Sequence, residues 1–173
     1  ENCFYGRLTR SAGGTDWLPE FKVIPSEQSR ITYSNLYLLT AENEGRGRLY
    51  NFFRGLDASF KPSFAFSDDC GTKWQRGSVA IDVPLAFRHR PYVKYASNCR
   101  DTVHFLYTDG HPRDFDNSVY HIFYREGQLH RSDGAALGPL ARGLKSPDEG
   151  TRVFRGDRQN VAWVSDLHLS ALG

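Results

Sequence analysis

Gly71-Thr72-Lys73-Trp74 repeats Gly14-Thr15-Asp16-Trp17 at an offset of 57 residues, and the segments after the two tetrapeptides also match each other in order. Self-similarity at a fixed spacing means that one supersecondary unit is used more than once. After each Trp the chain enters a short apolar segment, ending at Val23-Ile24 in the first copy and at Ala80-Ile81 in the second. An extended, tyrosine-bearing run comes next, Ile31 to Thr40 and Pro91 to Ser97. A second strand-like segment succeeds it, Arg48 to Arg54 against Thr102 to Thr108, and then a third, Ser63 to Ser67 against Ser118 to Arg125. Both third segments close at a glycine, Gly71 or Gly127.

These segments carry the two-residue period of β-strands. Thr102 to Thr108 places Val103, Phe105 and Tyr107 on one face and His104, Leu106 and Thr108 on the other, and Ser118 to Tyr124 alternates in the same way. Turn chemistry separates them at Asn43 to Gly47, Ser97 to Asp101, Asp109 to Asn117 and Arg155 to Asn160, and no stretch keeps a capped 3.6-residue apolar period. The chain is predicted to be all-β. Sandwiches and barrels also use short strands, but only a blade architecture has reason to reuse a Gly-Thr-x-Trp corner at constant spacing. The expected fold is therefore a β-propeller fragment of about three four-stranded antiparallel blades. In that division 1–29 ends one blade, 30–88 and 89–150 are blades, and 151–173 starts a further one. Closed propellers usually need about four to eight blades, and the chain opens on Glu1 with no methionine anywhere, so it reads as a processed or partial chain.

Composition narrows the function classes. A chain of 173 residues with 39% hydrophobic residues, 24% charged residues and 12 Phe, 9 Tyr and 3 Trp suits a water-soluble globular domain. No apolar run reaches the roughly 18 residues of a membrane span, and a net charge of +2 speaks against a nucleic-acid-coating surface. Neither nucleic acid nor membrane is expected as a partner. Arg outnumbers Lys 17 to 5. Guanidinium suits carboxylate, sulfate or phosphate recognition, although a GC-rich gene produces the same bias. Cys3, Cys70 and Cys99 follow no C-x-x-C spacing, allow at most one intrachain disulfide and give no support to zinc or thiol-redox chemistry, so no cofactor or metal is expected.

Ser67-Asp68-Asp69-Cys70-Gly71-Thr72-Lys73-Trp74 fits S-x-D-x-G-x-x-W, the Asp-box, and resembles the repeat signature of sialidase-type propellers. Its expected role is structural: Ser67 and Asp69 bond turn amides, Gly71 supplies a positive φ and Trp74 packs between sheets. The earlier stretch, Ser11 to Trp17, keeps Gly14 and Trp17 but lacks the acid, as a degenerate box would. ITYSNLYLL at Ile31 to Leu39 with RLYNFFR at Arg48 to Arg54, RPYVKYAS at Arg90 to Ser97, and HFLYTDGHPR with NSVYHIFYREG between His104 and Gly127 are similar to one branch of that superfamily. This branch is the BNR-4 type propellers, which include ulvan lyase-like polysaccharide lyases and related rhamnosidases. The resemblance spans roughly Ile31 to Gly138 and implies a polysaccharide lyase that cleaves uronic-acid-containing anionic polysaccharide by β-elimination in a secreted or periplasmic setting. It assigns proton exchange to Tyr33, neutralisation of the uronate carboxylate to Arg54, and substrate contact to Tyr92, His111 and Arg90. The family also uses a histidine from an earlier blade that has no match here. Its partners would be the anionic polysaccharide or oligosaccharide and the remaining blades of the parent chain, and the isolated chain is expected to have little activity.

Elimination needs these residue types together, because loss of the proton α to a carboxylate builds charge that a fixed guanidinium can stabilise. Bland roles compete for each. Tyr33 could fill a gap between blades, and Arg54 could be a solvated strand-end charge, whereas His111 lies in a polar loop with Asp109, Gly110 and Arg113. His104 and His121 lie mid-strand, as hydrogen-bonded packing residues would, and His89, His130 and His168 have no neighbours at ligand spacing. Asp68-Asp69 belongs to the box turn and not to a paired-carboxylate site. Two other classes remain: a glycoside hydrolase of sialidase or rhamnosidase type, and a non-catalytic carbohydrate-binding or scaffold propeller.

Overall fold

The computed structural model describes residues 31–56, 60–83 and 90–170, and the backbone of residues 3–6 and 21–25. The first Gly-Thr-x-Trp copy at 14–17, the degenerate box around it and His89 lie outside the described residues. Strands β1 (Cys3–Gly6) and β2 (Phe21–Pro25) pair as an antiparallel hairpin. Strands β3 (Thr32–Leu39), β4 (Arg48–Arg54), β5 (Pro62–Ser67) and β6 (Gln75–Val79) form an antiparallel sheet in chain order.

The second sheet repeats that meander with β7 (Val93–Ser97), β8 (Thr102–Thr108), β9 (Val119–Arg125) and β10 (Gln128–Arg131), and continues into β11 (Ala136–Pro139). Strand β12 (Thr151–Phe154) pairs with β9 as well: β10 covers residues 122–125 of β9 and β12 covers 119–121, so two chain segments share the fourth-strand position. The all-β expectation holds among the described residues, where the helical content is limited to 3₁₀ turns at Leu140–Arg142 and Pro147–Glu149. Neither sheet closes on itself.

The two sheets pack through one face each, and the seam is aromatic. Phe52 of β4 is fully buried at its centre, 5.0 Å edge-on to Phe105, 5.1 Å stacked on Tyr95 and 5.7 Å stacked on Tyr50. Offset and edge-to-face contacts of this kind add to the burial of large apolar area. Strand sits against its counterpart: the Tyr37 hydroxyl on β3 donates to the Tyr95 carbonyl on β7 at 2.9 Å. Beyond β6, Ile81 bridges to Leu144, and Asp82 takes Lys61 at 2.6 Å and Lys145 at 2.7 Å.

The ends of the sheets differ. At one end the strands are joined by tight turns, as where Asn98 Oδ1 accepts from the amides of Arg100, Asp101 and Thr102 at 2.9–3.1 Å and where Glu126-Gly127 closes β9 onto β10. The Asp-box belongs to this end. Ser67 Oγ accepts from the Gly71 amide at 2.8 Å, Asp69 Oδ1 accepts from the Lys73 amide at 2.7 Å, and Gly71 takes φ 85°. The Lys73 amide, more than any other group, holds the Asp69 carboxyl below its usual range. Trp74 packs with Phe53, Leu56, Ala65 and Ile31 on the face of the first sheet turned away from the second. At the opposite end Phe60, Arg90 and the 109–118 connection border an opening.

Candidate functional site

The opening begins at a fault in strand pairing. Thr32 stands opposite Arg54, but the next matched pair is Asn35 with Phe52, so β3 carries a bulge at Tyr33-Ser34. Tyr33 takes φ 59°, a left-handed backbone that an aromatic residue rarely adopts, and its side chain is 62% exposed. Asn35 stabilises the bulge by donating Nδ2 to the Tyr33 carbonyl at 2.6 Å and to the Phe52 carbonyl at 3.4 Å. Backbone strain of this kind persists where surrounding structure enforces it, and it is concentrated at functional sites.

Arg54 ends β4 next to the bulge. Its Nε donates to the Phe60 carbonyl at 2.8 Å and its Nη2 to the Arg90 carbonyl at 3.4 Å, which fixes the guanidinium without neutralising it. The charge lies 4.9 Å from the ring centre of Tyr92 and 5.7 Å from that of Tyr33, within cation–π reach of both. Tyr92 precedes β7, is held to β8 by the Thr108 amide donating to its carbonyl at 3.1 Å, and stands 6.4 Å from Tyr33 and 5.8 Å from His111.

His111 comes from the 109–118 loop, which the half-buried Asp109 and the buried Asn117 shape from below. Asp109 accepts from the Ser118 amide at 2.8 Å and the Tyr120 hydroxyl at 3.0 Å, while Asn117 exchanges two hydrogen bonds with Gly110 at 2.9 Å each. His111 Nδ1 accepts from the Arg113 amide at 3.1 Å, so a neutral ring carries its proton on Nε2. Arg113 is paired with Asp114 at 3.0 and 3.1 Å, and Arg90 has no carboxylate partner among the described residues.

The structure thus gathers Tyr33, Arg54, Tyr92, His111 and Arg90, all five residues singled out in the sequence, around one cavity of about 490 Å³. A second cavity of about 480 Å³ shares Tyr33, Arg54 and Tyr92 with it and runs on past Val93, Lys94 and Trp163. Sequence reasoning missed Phe60, Asp114 and Trp163. The first two lie in connections with no period, and Trp163 lies in 155–170, a stretch without regular pairing that the Ala162 amide ties to the Asn117 carbonyl at 3.1 Å. Among the described residues the first cavity is lined by three arginines and one carboxylate, the Asp114 that pairs with Arg113, a balance suited to anions.

Other polar clusters lie elsewhere. His104 Nδ1 and His121 Nε2 are 3.0 Å apart with their rings stacked, and His121 Nδ1 meets Ser132 Oγ at 2.7 Å, the hydrogen-bonded packing expected for mid-strand histidines. Burial, with His104 adding to it, pulls His121 down to about 4. At the tight-turn end, the Tyr50 and Tyr124 hydroxyls lie 2.6 Å apart and both reach Glu42, at 2.9 and 2.5 Å. Burial pushes Tyr50 up to about 12 and Tyr124 higher still. Asp68 pairs with Arg48 at 2.7 Å, a strand-to-turn clamp distant from the cavity. No protein-family model matches the chain, and neither curated proteins nor solved structures give a significant match.

Proposed function

We propose that the protein is a propeller-type polysaccharide lyase that cleaves anionic polysaccharide at a uronic acid by β-elimination. The observation that carries this reading is the placement of Arg54, a guanidinium fixed by two backbone carbonyls between two tyrosine rings in an open cavity rich in positive charge. The four-stranded meander used twice, with counterpart strands packed together and an Asp-box on the outer hairpin, supports successive blades about a common axis. An extracellular polymer as substrate implies a secreted or periplasmic protein.

In this mechanism Arg54 takes the uronate carboxylate through its remaining N–H groups, with Arg90 adding positive field. Abstraction of the C5 proton places an electron pair on C5 that delocalises into the carboxylate, where the guanidinium stabilises it. The pair then forms the C4–C5 double bond while the C4–O bond breaks, and the departing oxygen takes a proton. Tyr33 is the group that exchanges these protons with the substrate, its phenolate oxygen taking the C5 proton and the resulting phenol giving it to the departing oxygen, since the residue is exposed and its ring is within cation–π reach of Arg54. His111, with Nε2–H free of the loop's own bonding, and Tyr92 orient the sugar.

The test is to incubate the full-length protein with uronate polymers, following both the absorbance of the unsaturated product and the release of reducing ends. Both signals should rise together, and Arg54→Ala should lower the rate about 10²- to 10³-fold, the usual cost of removing a donor from a developing anion. Reducing ends without the absorbance would replace elimination by hydrolysis. Binding without either signal would make the protein a carbohydrate-binding propeller.

A further inference from the structure

Trp163 lies outside the chemistry assigned above, yet the residue is 54% exposed and lines the second cavity. A large aromatic ring left open to water has lost burial it could have had, and here the ring is also held in place. It lies 5.1 Å from the Tyr92 ring and 5.3 Å, edge-on, from the His111 ring, so two residues of the anionic cavity support it. The Asn117 side chain donates to the Ala162 carbonyl at 3.2 Å, anchoring the same chain segment to the loop that carries His111.

The two cavities adjoin: Tyr33, Arg54 and Tyr92 line both, so a ligand at Arg54 borders the second cavity as well. Their chemistry differs. Beyond the shared residues, the first is lined by Arg90 and Arg113, and the second by Phe53, Tyr95, Val93 and Trp163, with Ser34, Asn35, Lys94 and Ser165 among its polar groups. A pocket of aromatic walls with a few convergent polar groups is the usual form of a small-molecule site. A pyranose presents C–H bonds on its face and hydroxyls at its edge, which matches a flat indole floor with polar groups at the rim.

We propose that Trp163 is the platform of a second sugar site, which takes a neutral sugar directly linked to the uronate held at Arg54. This rests on the uronate reading above and adds that the protein recognises a two-sugar unit, with charge read at Arg54 and a flat C–H face read at Trp163. The indole is preset by Tyr92 and His111, so little side-chain freedom is lost when the sugar stacks.

The experiment is calorimetric titration of the full-length protein with three probes: glucuronate, and two disaccharides in which a neutral sugar is joined to glucuronate on one side or the other. The expected result is that one disaccharide binds more tightly than glucuronate. Trp163→Ala should then weaken that disaccharide about fivefold to tenfold and leave glucuronate unchanged. Trp163→Phe, which keeps a ring, should retain most of the advantage, and Arg54→Ala should weaken all three probes. If neither disaccharide gains over glucuronate, or if the gain survives Trp163→Ala, the platform is overturned while glucuronate binding and its loss in Arg54→Ala leave the uronate reading standing. If glucuronate does not bind at all, the uronate reading fails and the two-sugar proposal falls with it. Equal weakening of every probe by Trp163→Ala, with unchanged circular dichroism, would assign the indole to shaping the anionic cavity and would also overturn the platform.

Discussion

The same side chains build opposite environments at the two ends of the molecule. At the tight-turn end, Tyr50 and Tyr124 are buried against Glu42 with each hydroxyl bonded, and their protons are held more firmly than usual. At the open end, Tyr33 is exposed on a bulge, Tyr92 stands beside it, and the charged neighbour is Arg54. Buried phenols that share a carboxylate serve as structure, because low polarity and the neighbouring negative charge both resist the phenolate. On the proposed reading, the exposed phenols around the fixed cation are the ones that meet substrate charge. Burial and the sign of the neighbouring charge, and not residue type, separate the two ends.

Breaking the seam that joins the two ends should have the largest effect. Phe52→Ala removes the ring at the centre of the aromatic packing and should cost about 3–5 kcal/mol in denaturant unfolding; a loss under about 1 kcal/mol would mean that the sheets do not depend on each other. The comparison sharpens when one substitution is made at each end. Tyr33→Phe should lower turnover at least about 10²-fold and leave the unfolding midpoint within error. Tyr124→Phe should leave turnover alone and cost about 1–3 kcal/mol, since Glu42 loses its shortest partner in a buried setting. Identical outcomes for the two variants would erase the distinction.

A smaller effect is expected on acidification. His121 is held neutral down to about pH 4 in the fold, against an ordinary value of 6.5. Between those values the unfolded chain binds the extra proton, so this contribution is whole above pH 6.5 and is lost as pH falls towards 4. With the ring only half-buried, about 1–2 kcal/mol is the expected size after solvent screening. Replacing His121 by Gln should flatten that limb. The Asp69, Asp82 and Asp101 carboxyls, all held below their ordinary value of 3.8, lose their contributions at lower pH, so the two windows can be told apart. Asp69→Ala should cost the least, about 1 kcal/mol, through loss of the box-turn hydrogen bonds.

Much of the fold was legible in the sequence where a short period or a turn motif carried it. Thr102–Thr108 is a strand with the bounds its alternation predicts, Arg48–Arg54 is one with the bounds its match to that segment predicts, and the Asp-box bonds as its residue types require. Strand β6 is harder to read because Gln75–Val79 holds mostly polar and small residues, so alternation gives no signal. The pairing of β12 on β9 has no local signature, since it depends on β10 ending early and leaving the start of β9 open. The five cavity residues were identified through resemblance, and no motif conveyed their geometry. The bulge that turns Tyr33 outward is visible in TYSN only as an asparagine two residues on, and Trp163 is placed by contacts with Tyr92 and His111 and by the tie from Asn117 to its neighbour Ala162, all far from it in sequence.

The gathering of cavity-lining residues at one end has a practical consequence. Segment 109–118 enters and leaves strands whose pairing is set elsewhere, so loops of other lengths could be grafted there while the seam keeps its registry. An insertion at Glu126-Gly127 has no such latitude, because that turn alone sets how β10 meets β9. The scaffold can diversify at one pole and must stay fixed at the other.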